Sequence, residues 1–571
     1  MTAEEIRRAF EEDTPEAQSL MKDVVRYSAS LRGTRPYWFG RRKALESQVK
    51  QLGCPHLFVT LSAADYHWKP LMSILPSYEE WKAARTTSER MKITRENVRD
   101  NPLIVAYHFE RRYEAFLKEV LKPKFHITDY WNRYEWQGRG STHSHGRYWI
   151  DDSIQGVPKP DLPNIKVPDD KRSAEDQALY DYFARFWSLH ISAVNPQPGL
   201  HQQQNLDDRS PLSFPGDLQH NEMGFLSSVV NWVQLHVCSR HYCLRKVKDK
   251  DEEVCRFGAP WDLSEEPKVS VRDGHSFPRF NPVRNDPRLN AYSRLISMGW
   301  LANTDIQPCT CKEAVIFYVG KYASKPEKHT ESFKALFKAL TPCINENRPV
   351  YSLVTKAMNK LVGERNWSAQ EVCHHLLNLK LVNSSHVVQN VNCRPQNEQG
   401  ILYAFEDDDD GAIQIAARKS VLQKYCARPE GMVDENGREI TYMQFLELYN
   451  FDTYKKRTRA PPRVLNFFPQ YDRIQQQEDY ARVKLMLHHP FRNIEDLKTV
   501  DGLMHETFSQ AYMTCSFRHT HEKDHYGDDD MPQEVEDNLE SISSQENEDA
   551  ADAALPAGPP AVQRADGRLA S

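Results

Sequence analysis

No stretch of the 571-residue sequence approaches the roughly 20 consecutive apolar residues of a membrane-spanning helix, and its first residues lack the apolar segment of a signal peptide. We therefore expect no membrane among its partners. The sequence also lacks the Gly-x-x-x-x-Gly-Lys-Ser/Thr loop of ATP-driven motors and the His-Glu-x-x-His motif of zinc peptidases. These absences argue against a helicase or ATPase in this chain and weaken a zinc hydrolase as an interpretation.

The number and distribution of the cysteines indicate the environment of the chain. The 11 cysteines are an odd number and are scattered through the sequence. This distribution argues against a disulfide framework and indicates a reducing, intracellular environment. A local cluster of cysteines is then better interpreted as a metal site.

The net charge of −6 is spread unevenly along the chain. Residues 521–571 carry 14 acidic and 3 basic side chains, whereas the preceding 520 residues carry 66 and 71. The end of the chain is rich in Asp, Glu, Ser, Ala and Pro, so it cannot bury enough apolar surface to offset its ordering entropy. We therefore predict a disordered acidic tail over 516–571. The mildly basic remainder is compatible with contacts to phosphate groups.

Residue patterns divide the rest of the chain into three segments. Residues 1–50 are predicted to be helical with a basic and aromatic end, residues 51–340 to form an α+β domain with a small Cys/His insert at about 232–262, and residues 341–515 to be mostly helical. Within the α+β domain, Leu57–Leu61 predicts a buried strand. Ile127–Trp136 and Thr142–Ile150 predict a β-hairpin, because a short glycine-containing loop separates two aromatic-rich runs.

The hairpin carries a group of potential metal ligands. His143 and His145 are two residues apart in a strand, so their side chains lie on one face. If the strands pair symmetrically about Arg139, Glu135 lies directly opposite His143 on that face. Two imidazoles and a carboxylate suit a divalent cation, although the spacing does not distinguish Zn²⁺ from other metals. Gln137 is the alternative third ligand, and a pair of solvated histidines is the alternative interpretation.

A second group of reactive side chains lies further along the chain. Tyr318 and Tyr322 are four residues apart and share a face if their segment is helical. A tyrosine hydroxyl has a pKa of about 10 and attacks poorly unless its anion is stabilised, which the neighbouring Lys321 and Lys325 could do. The pattern therefore predicts nucleophilic tyrosines, with two core tyrosines as the alternative.

Cysteine and histidine cluster between residues 236 and 255. His236, Cys238, Cys243 and Cys255 supply four nitrogen and sulfur ligands, which suits a closed tetrahedral zinc site. His241 is an alternative for one of the positions. Because the spacing is irregular compared with paired Cys-x-x-Cys motifs, buried free thiols are the alternative interpretation.

Taken in chain order, these motifs resemble the replication-initiator (Rep) domain of Helitron transposons, a branch of the HUH endonucleases. The resemblance covers roughly residues 30–510. The segments that carry it are Arg35-Pro36-Tyr37-Trp38, Leu57 to Asp65 with Trp68, Glu135 to Gly140 with His143-Ser144-His145, Ala302 to Ile306, and Tyr318 to Lys325. The Cys/His cluster resembles the small zinc-finger-like insert of that family.

The resemblance implies cleavage of single-stranded DNA by a tyrosine, which leaves a 5′-phosphotyrosine link and a free 3′-hydroxyl. It implies Mg²⁺ or Mn²⁺ at His143, His145 and Glu135, and two tyrosines that serve successive transfers. Two features depart from the family's pattern. The middle residue of His-x-His is usually apolar and is Ser144 here, whose side chain points away from the ligands, and the helicase of full Helitron proteins has no counterpart in this sequence.

We therefore expect an α+β fold, with a central antiparallel sheet flanked by helices, helical extensions, a zinc-finger-like insert and a disordered acidic tail. The expected catalytic residues are Tyr318, Tyr322 and Lys321, and the expected partners are single-stranded DNA and a helicase acting in trans. A DNA-binding protein that has kept the fold and lost catalysis is the alternative. A basic cluster is formed by Lys455, Lys456, Arg457 and Arg459. It is interpreted as a nuclear signal, a phosphate contact or a solvated turn.

Overall fold

The computed structural model describes residues 2–136, 140–200, 221–240, 243–246, 253–271, 277–315, 333–363, 367–399, 402–407, 413–516, 524 and 526. These residues form two compact units, the first made of Met1–Lys43 with Cys54–Ser384 and the second of Ala44–Gly53 with Ser385–Asp537. The predicted acidic tail lies almost wholly outside the described residues.

The first unit combines a five-stranded sheet with most of the helices. Its helices are α1 (Ala3–Glu12), α2 (Pro15–Ser28), α3 (Arg35–Leu52, which ends in the second unit), α4 (Lys69–Met72), α5 (Tyr78–Ala83), α6 (Thr87–Asp100), α7 (Pro102–Phe116), α8 (Lys122–Phe125), α9 (Ala174–Ser188), α10 (Glu222–Val233), α11 (Arg294–Trp300), α12 (Phe333–Leu340), α13 (Pro349–Val362) and α14 (Ala369–Leu376). Its strands are β1 (Leu57–Ser62), β2 (Ile127–Trp136), β3 (Thr142–Ile150), β4 (Leu244–Lys246), β5 (Glu253–Cys255), β6 (Lys268–Ser270), β7 (Arg279–Asn281), β8 (Thr304–Pro308) and β9 (Val382–Ser384).

The central sheet has the strand order β8-β1-β3-β2-β9, and every neighbouring pair is antiparallel. This arrangement confirms the predicted α+β fold with a central antiparallel sheet. The predicted hairpin strands have the bounds of β2 and β3, and the predicted strand Leu57–Leu61 is β1 without its last residue. Every residue of β1 and β3 is buried, because both strands lie inside the sheet and are covered on both faces.

The two faces of the sheet differ in character because alternate residues of a strand point in opposite directions. One face is apolar and packs on α7, where the Tyr134 ring meets Phe109 and Tyr113 edge-on at centroid distances of 5.9 and 5.6 Å. Val59 and Ile306 lie on the same face and belong to the same core. The other face carries the hairpin histidines and is called the polar face below.

Two glycines shape the hairpin. Gly140 ends the loop with φ at 85°, a conformation that strains any L side chain, so a residue with a Cβ would distort the approach to β3. Gly146 follows His145 and lies beneath the Tyr148 ring, and a Cβ there would come within 2.3 Å of the Tyr148 hydroxyl oxygen. A glycine at this position therefore lets the Tyr148 ring fold onto the apolar face.

The N-terminal helices form a small core of their own within the first unit. Thr2 caps α1, since its hydroxyl accepts a hydrogen bond from the Glu5 amide at 3.2 Å and its own amide donates to the Glu5 carboxylate at 2.8 Å. The buried side of α1 and α2 packs on α12 and α13, with the Phe10 and Phe337 rings stacked at a centroid distance of 5.6 Å. Helices α1, α2 and α3 cover most of residues 1–50.

The second unit mixes helices and paired strands. Its helices are α15 (Val421–Cys426), α16 (Tyr442–Leu448), α17 (Gln477–His488) and α18 (Phe508–Thr514), and its strands are β10 (Val387–Asn392), β11 (Leu402–Asp407), β12 (Ile413–Arg418), β13 (Arg463–Phe468), β14 (Thr499–Val500) and β15 (Leu503–Met504). The parallel pair β10–β13 lies beside a core built on Phe445 and Leu485. Strand pairs thus accompany the helices in the region predicted to be mostly helical. In the parts of the chain described, no helix is both long and apolar enough to cross a bilayer.

Candidate functional site

The register of the β2–β3 hairpin places three potential ligands on the polar face. Glu135 is the direct cross-strand partner of His143, as symmetric pairing about Arg139 predicts. His145 lies two residues further along β3 and pairs with Arg133. Because directly opposed residues and residues two apart share a face, Glu135, His143 and His145 lie together on one side of the sheet.

Strand β1 orients both imidazoles with hydroxyl groups. Ser62 is the cross-strand partner of His143, and its Oγ lies 3.0 Å from the His143 Nδ1 atom. Thr60 is the partner of His145, and its Oγ1 lies 3.1 Å from the His145 Nδ1 atom. In the tautomer whose Nδ1–H donates to the hydroxyl, the His143 ring keeps its lone pair on Nε2, whereas for His145 a cation must first replace the hydrogen that its Nε2 atom donates to Glu135. This is the arrangement by which an outer hydrogen bond prepares a histidine to bind a metal.

The carboxylate is already in contact with one of the imidazoles. A Glu135 Oε2 atom lies 3.0 Å from the His145 Nε2 atom, and the His143 and His145 rings lie nearly parallel with centroids 6.4 Å apart. His143 and His145 are buried, whereas the Glu135 side chain is 30% exposed, so solvent approaches this group from the β2 side.

The charge states of these groups suit a cation. Burial raises the pKa of Glu135. The hydrogen bond and charge of His145, followed by the charges of Arg133 and His143, lower it by more than burial raises it, so the pKa lies well below its usual range. Burial, together with the charge of His145, lowers the pKa of His143 to about 4 although Glu135 raises it. At neutral pH the site therefore offers an ionised carboxylate and a neutral His143 imidazole, the forms that bind a divalent cation.

A further carboxyl group stands on the polar face two strands from His145. Asp305 in β8 is the cross-strand partner of Thr60, is fully buried, and accepts no hydrogen bond from a side chain of the described residues. Burial raises the pKa of Asp305 to about 7, although the charge of Arg279 lowers it. Asp305 belongs to a segment that carries the family resemblance, but the sequence alone did not assign it to the face of the histidines.

Other residues around the ligands were not predicted from the sequence. Thr60 and Ser62 lie on a strand 85 and 81 residues away from the histidines that they orient. The Arg133 guanidinium lies over the Trp38 ring, with its central carbon 3.9 Å from the ring centroid. The only available signal for the hydroxyls was their alternation in Thr60-Leu61-Ser62, which puts them on one face of a strand whose neighbours were unknown.

Several predicted site residues fall outside the described part of the chain. These are the nucleophile candidates Tyr318 and Tyr322, Lys321 beside them, and the alternative ligands Gln137 and His241. Residues 312–315 are helical and follow β8 closely, and the helix begins where the Lys312 amide donates to Asp161 at 3.1 Å. The structure therefore does not test the position of the tyrosines relative to the hairpin.

The Cys/His cluster is brought together as predicted. One potential ligand atom from each of His236, Cys238, Cys243 and Cys255 lies within 4.8 Å of the others. The His236 Nε2 atom lies 3.3 Å from the Cys255 sulfur, and the Ser239 amide donates to the Cys243 sulfur at 3.1 Å. The short β4–β5 hairpin, which pairs Leu244 with Cys255, supplies the fold of this insert. This group could hold a metal such as zinc.

Uncharged thiols are the stable form of this cluster without a cation. Burial, followed by the neighbouring Cys255 and Cys243, raises the pKa of Cys238 to about 12, and burial raises the pKa of Cys243. A divalent cation reverses this preference, because it binds thiolates and releases their protons. The imidazole nitrogen and thiol sulfur atoms of this cluster match the ligands of structural zinc sites.

The basic cluster of the second unit is partly engaged in local structure. Arg457 donates to the carbonyl oxygens of Glu447 at 3.3 Å and Pro461 at 2.7 Å, and the Lys456 Nζ atom lies 3.5 Å from a Glu435 carboxylate oxygen. Lys455 and Arg459 are exposed. Arg457 therefore has a structural role, whichever function the exposed cations have.

The fold and the polar face define a class of protein: an α+β domain whose central antiparallel sheet presents a His-x-His pair and a carboxylate to a candidate metal site. Residues 1–147 are similar to a known family, described as the Helitron helicase-like domain at the N-terminus. The matched segment is about a quarter of the chain and includes Glu135, His143 and His145. It confirms the resemblance to Helitron proteins and supports a Helitron-associated, nucleic-acid-processing role. No curated protein matches the chain.

Proposed function

We propose that the chain is a metal-dependent endonuclease that nicks and joins single-stranded DNA in rolling-circle transposition. The observation that supports this most directly is the polar-face group of Glu135, His143 and His145. Both imidazoles are oriented by hydroxyls, and the carboxylate is ionised. The group lies inside the segment that is similar to the Helitron domain.

The residues of this group fit a divalent cation, for which we propose Mg²⁺ or Mn²⁺. One carboxylate oxygen and two imidazole nitrogens leave open positions for phosphate oxygens and water. A cation there would polarise the scissile phosphate and neutralise the charge that develops on it. The role of Ser62 and Thr60 is to hold the imidazoles with Nε2 towards the ion, and that of Glu135 is to supply the negative charge.

The nucleophile proposed from the sequence is a tyrosine, Tyr318 or Tyr322. Its hydroxyl oxygen forms a bond to phosphorus while the bond between phosphorus and the 3′-oxygen breaks. The tyrosine proton leaves with water and the 3′-oxygen takes a proton, so the products are a 5′-phosphotyrosine and a 3′-hydroxyl. Because no high-energy cofactor is consumed, the reverse attack by a 3′-hydroxyl rejoins a strand. Lys321 is proposed to stabilise the tyrosine anion.

The test is a cleavage assay on a single-stranded oligonucleotide library labelled at the 3′ end, with Mn²⁺ or Mg²⁺. The expected result is a covalent protein–DNA adduct that carries the label and does not form when EDTA is present from the start, together with an unlabelled fragment that ends in a 3′-hydroxyl. The matched substrate is the same library annealed to its complement, which we expect to react far less. Binding of the single strand without any adduct would contradict the proposed enzyme and favour a DNA-binding protein that has lost catalysis.

We further propose that the Cys/His cluster binds one structural Zn²⁺. A closed set of four ligands with no position for water argues for a structural ion. Its role is to hold the β4–β5 hairpin to the segment that follows α10, since His236 and Cys255 lie on these two parts. We also propose a helicase in trans as a partner, and a nuclear location if the host cell is eukaryotic. These two proposals rest on the resemblance and on the exposed cations of the basic cluster.

A further inference from the structure

A group of arginines surrounds one tyrosine at the edge of the candidate metal site. Tyr37 and Arg41 lie one turn apart on α3, and the Arg41 guanidinium carbon is 5.1 Å from the Tyr37 ring centroid. Arg32 precedes α3 and donates to the Leu379 carbonyl at 3.5 Å. Arg133 extends from β2. We call Arg32, Tyr37, Arg41 and Arg133 the arginine–tyrosine strip.

The strip is built on a buried aromatic support. The Trp38 ring packs edge-on against Tyr37 at a centroid distance of 5.2 Å, and the Arg133 guanidinium lies over the same Trp38 ring at 3.9 Å. Trp38 is 8% exposed, so it is a fixed base on which Arg133 and Tyr37 are held. A guanidinium that lies over an indole ring can still donate N–H groups to a phosphate.

The members of the strip are accessible and act on one another electrostatically. Arg32 and Arg41 are exposed, and Tyr37 and Arg133 are half-buried. Burial raises the pKa of Tyr37, whereas the charges of Arg41, Arg32 and Arg133 lower it, so all three cations interact electrostatically with the Tyr37 hydroxyl. Like charges repel, so an anion bound among these three cations would be stabilised by all of them.

The strip is continuous with the polar face. Arg133 lies two residues from Glu135 on the same face of β2 and directly opposite His145, and its charge acts on the Glu135 carboxyl. The Glu135 side chain is the exposed member of the ligand group. A polyanion that reaches the ligands from the β2 side therefore passes the strip first.

We propose that the arginine–tyrosine strip binds the single-stranded DNA next to the cleaved bond, with phosphates on the arginines and a base on Tyr37. This inference deepens the proposed function and depends on it for the identity of the strand. Alternating cations and an aromatic ring are the combination by which proteins hold single strands without reading their sequence. An unpaired base can stack on Tyr37, whereas the bases of a duplex are already stacked.

The test measures binding of a fluorescent oligothymidine to the full chain by anisotropy, over a range of salt concentrations and without added divalent cation, so that nothing is cut. A plot of the logarithm of the binding constant against the logarithm of the salt concentration has a negative slope. For a single strand, each phosphate contact adds about 0.7 to the magnitude of this slope. The variants Arg41→Gln and Arg32→Gln are each expected to lower the slope by about 0.7, and the triple variant with Arg133→Gln by about 2. Lys82→Gln is the matched control, because Lys82 also lies over a tyrosine ring, at 5.2 Å from the Tyr78 centroid, on another exposed helix.

A second measurement separates stacking from charge. Tyr37→Leu removes the ring but no charge, so affinity is expected to fall about fivefold or more with an unchanged slope, while Tyr37→Phe keeps the affinity. Slopes that stay unchanged in all the arginine variants would overturn the inference, even if the wild type forms the covalent adduct. Conversely, lower slopes in a chain that never forms an adduct would support the strip and contradict the proposed endonuclease. If the chain bound a duplex as tightly as a single strand and Tyr37→Leu had no effect, the proposed stacking of a base on Tyr37 would be contradicted.

Discussion

Glu135 contacts the imidazole of His145, at 3.0 Å between Oε2 and Nε2, although its direct cross-strand partner is His143. The carboxylate thus leans along the strand to the histidine two residues further on. The His143 imidazole lies opposite Glu135 across the hairpin, and its Nδ1 atom contacts the Ser62 hydroxyl of the neighbouring strand.

The two histidines are expected to be essential for cleavage and dispensable for folding. His143→Ala combined with His145→Ala should abolish the covalent adduct, because only Glu135 would remain to hold the ion. Thermal unfolding and oligonucleotide binding without metal should stay close to those of the wild type. Adduct formation at the normal rate in this variant would show that the hairpin is not the metal site.

The Ser62 hydroxyl is expected to act through His143. Ser62→Ala should raise the Mn²⁺ concentration for half-maximal adduct formation about 10- to 100-fold, with the rate recovered at saturating Mn²⁺. Ser297→Ala is the matched control. The buried Ser297 hydroxyl accepts a hydrogen bond from Gln234 at 3.0 Å and has no contact with the two histidines among those described. An equal Mn²⁺ requirement in the wild type and in Ser62→Ala would contradict a positioning role.

The Cys/His cluster is expected to hold one zinc ion per chain. Elemental analysis of the purified protein should find about one Zn²⁺, and Cys255→Ser should lose it and unfold at a lower temperature, because the ion links His236 to the β4–β5 hairpin. Cys393→Ser is the control, a substitution of a buried thiol in the second unit that should leave the zinc content unchanged. A protein with no stoichiometric zinc would refute this assignment.

The two candidate tyrosines are expected to have different roles. On a helix they would lie about 6 Å apart along the axis, so only one can be in line with the scissile bond at a time. Phe replacement keeps the ring and removes the hydroxyl, so the double variant Tyr318→Phe with Tyr322→Phe should form no adduct. We expect Tyr322→Phe to abolish the first cut and Tyr318→Phe to affect strand transfer. Normal adduct formation in the double variant would place the nucleophile elsewhere.

The buried carboxyl of Asp305 is expected to make stability depend on pH. The pKa of Asp305 is about 7 in the folded chain and lower in the unfolded chain. At a pH between these two pKa values, the unfolded chain releases a proton that the folded chain retains. The free energy of unfolding should therefore fall as the pH rises from about 4 towards 7. Asp305→Asn removes this titration and should be more stable than the wild type at pH 8, with an advantage that shrinks at pH 5. A stability difference that is independent of pH would show that Asp305 has an ordinary pKa.

Local patterns determined the hairpin and its register from the sequence alone. The alternation in Ile127–Trp136 and Thr142–Ile150, joined by a short loop, leaves one symmetric pairing, and that pairing alone sets Glu135 opposite His143. The grouping of the Cys/His residues was also predictable, because they lie within 20 residues of one another. Contacts of this kind close small loops and depend little on the rest of the chain.

Only the tertiary structure decided what surrounds these ligands. Which strand lies beside β3 depends on packing across the whole domain, so the contacts of Ser62 and Thr60 with the histidine Nδ1 atoms could not be derived from their own segment. The same holds for Asp305, which reaches the polar face through the order β8-β1-β3, and for Arg133, whose aromatic support comes from α3. Residue alternation assigns a side chain to one of two faces, but the strand order and the packing of helices assign its neighbours.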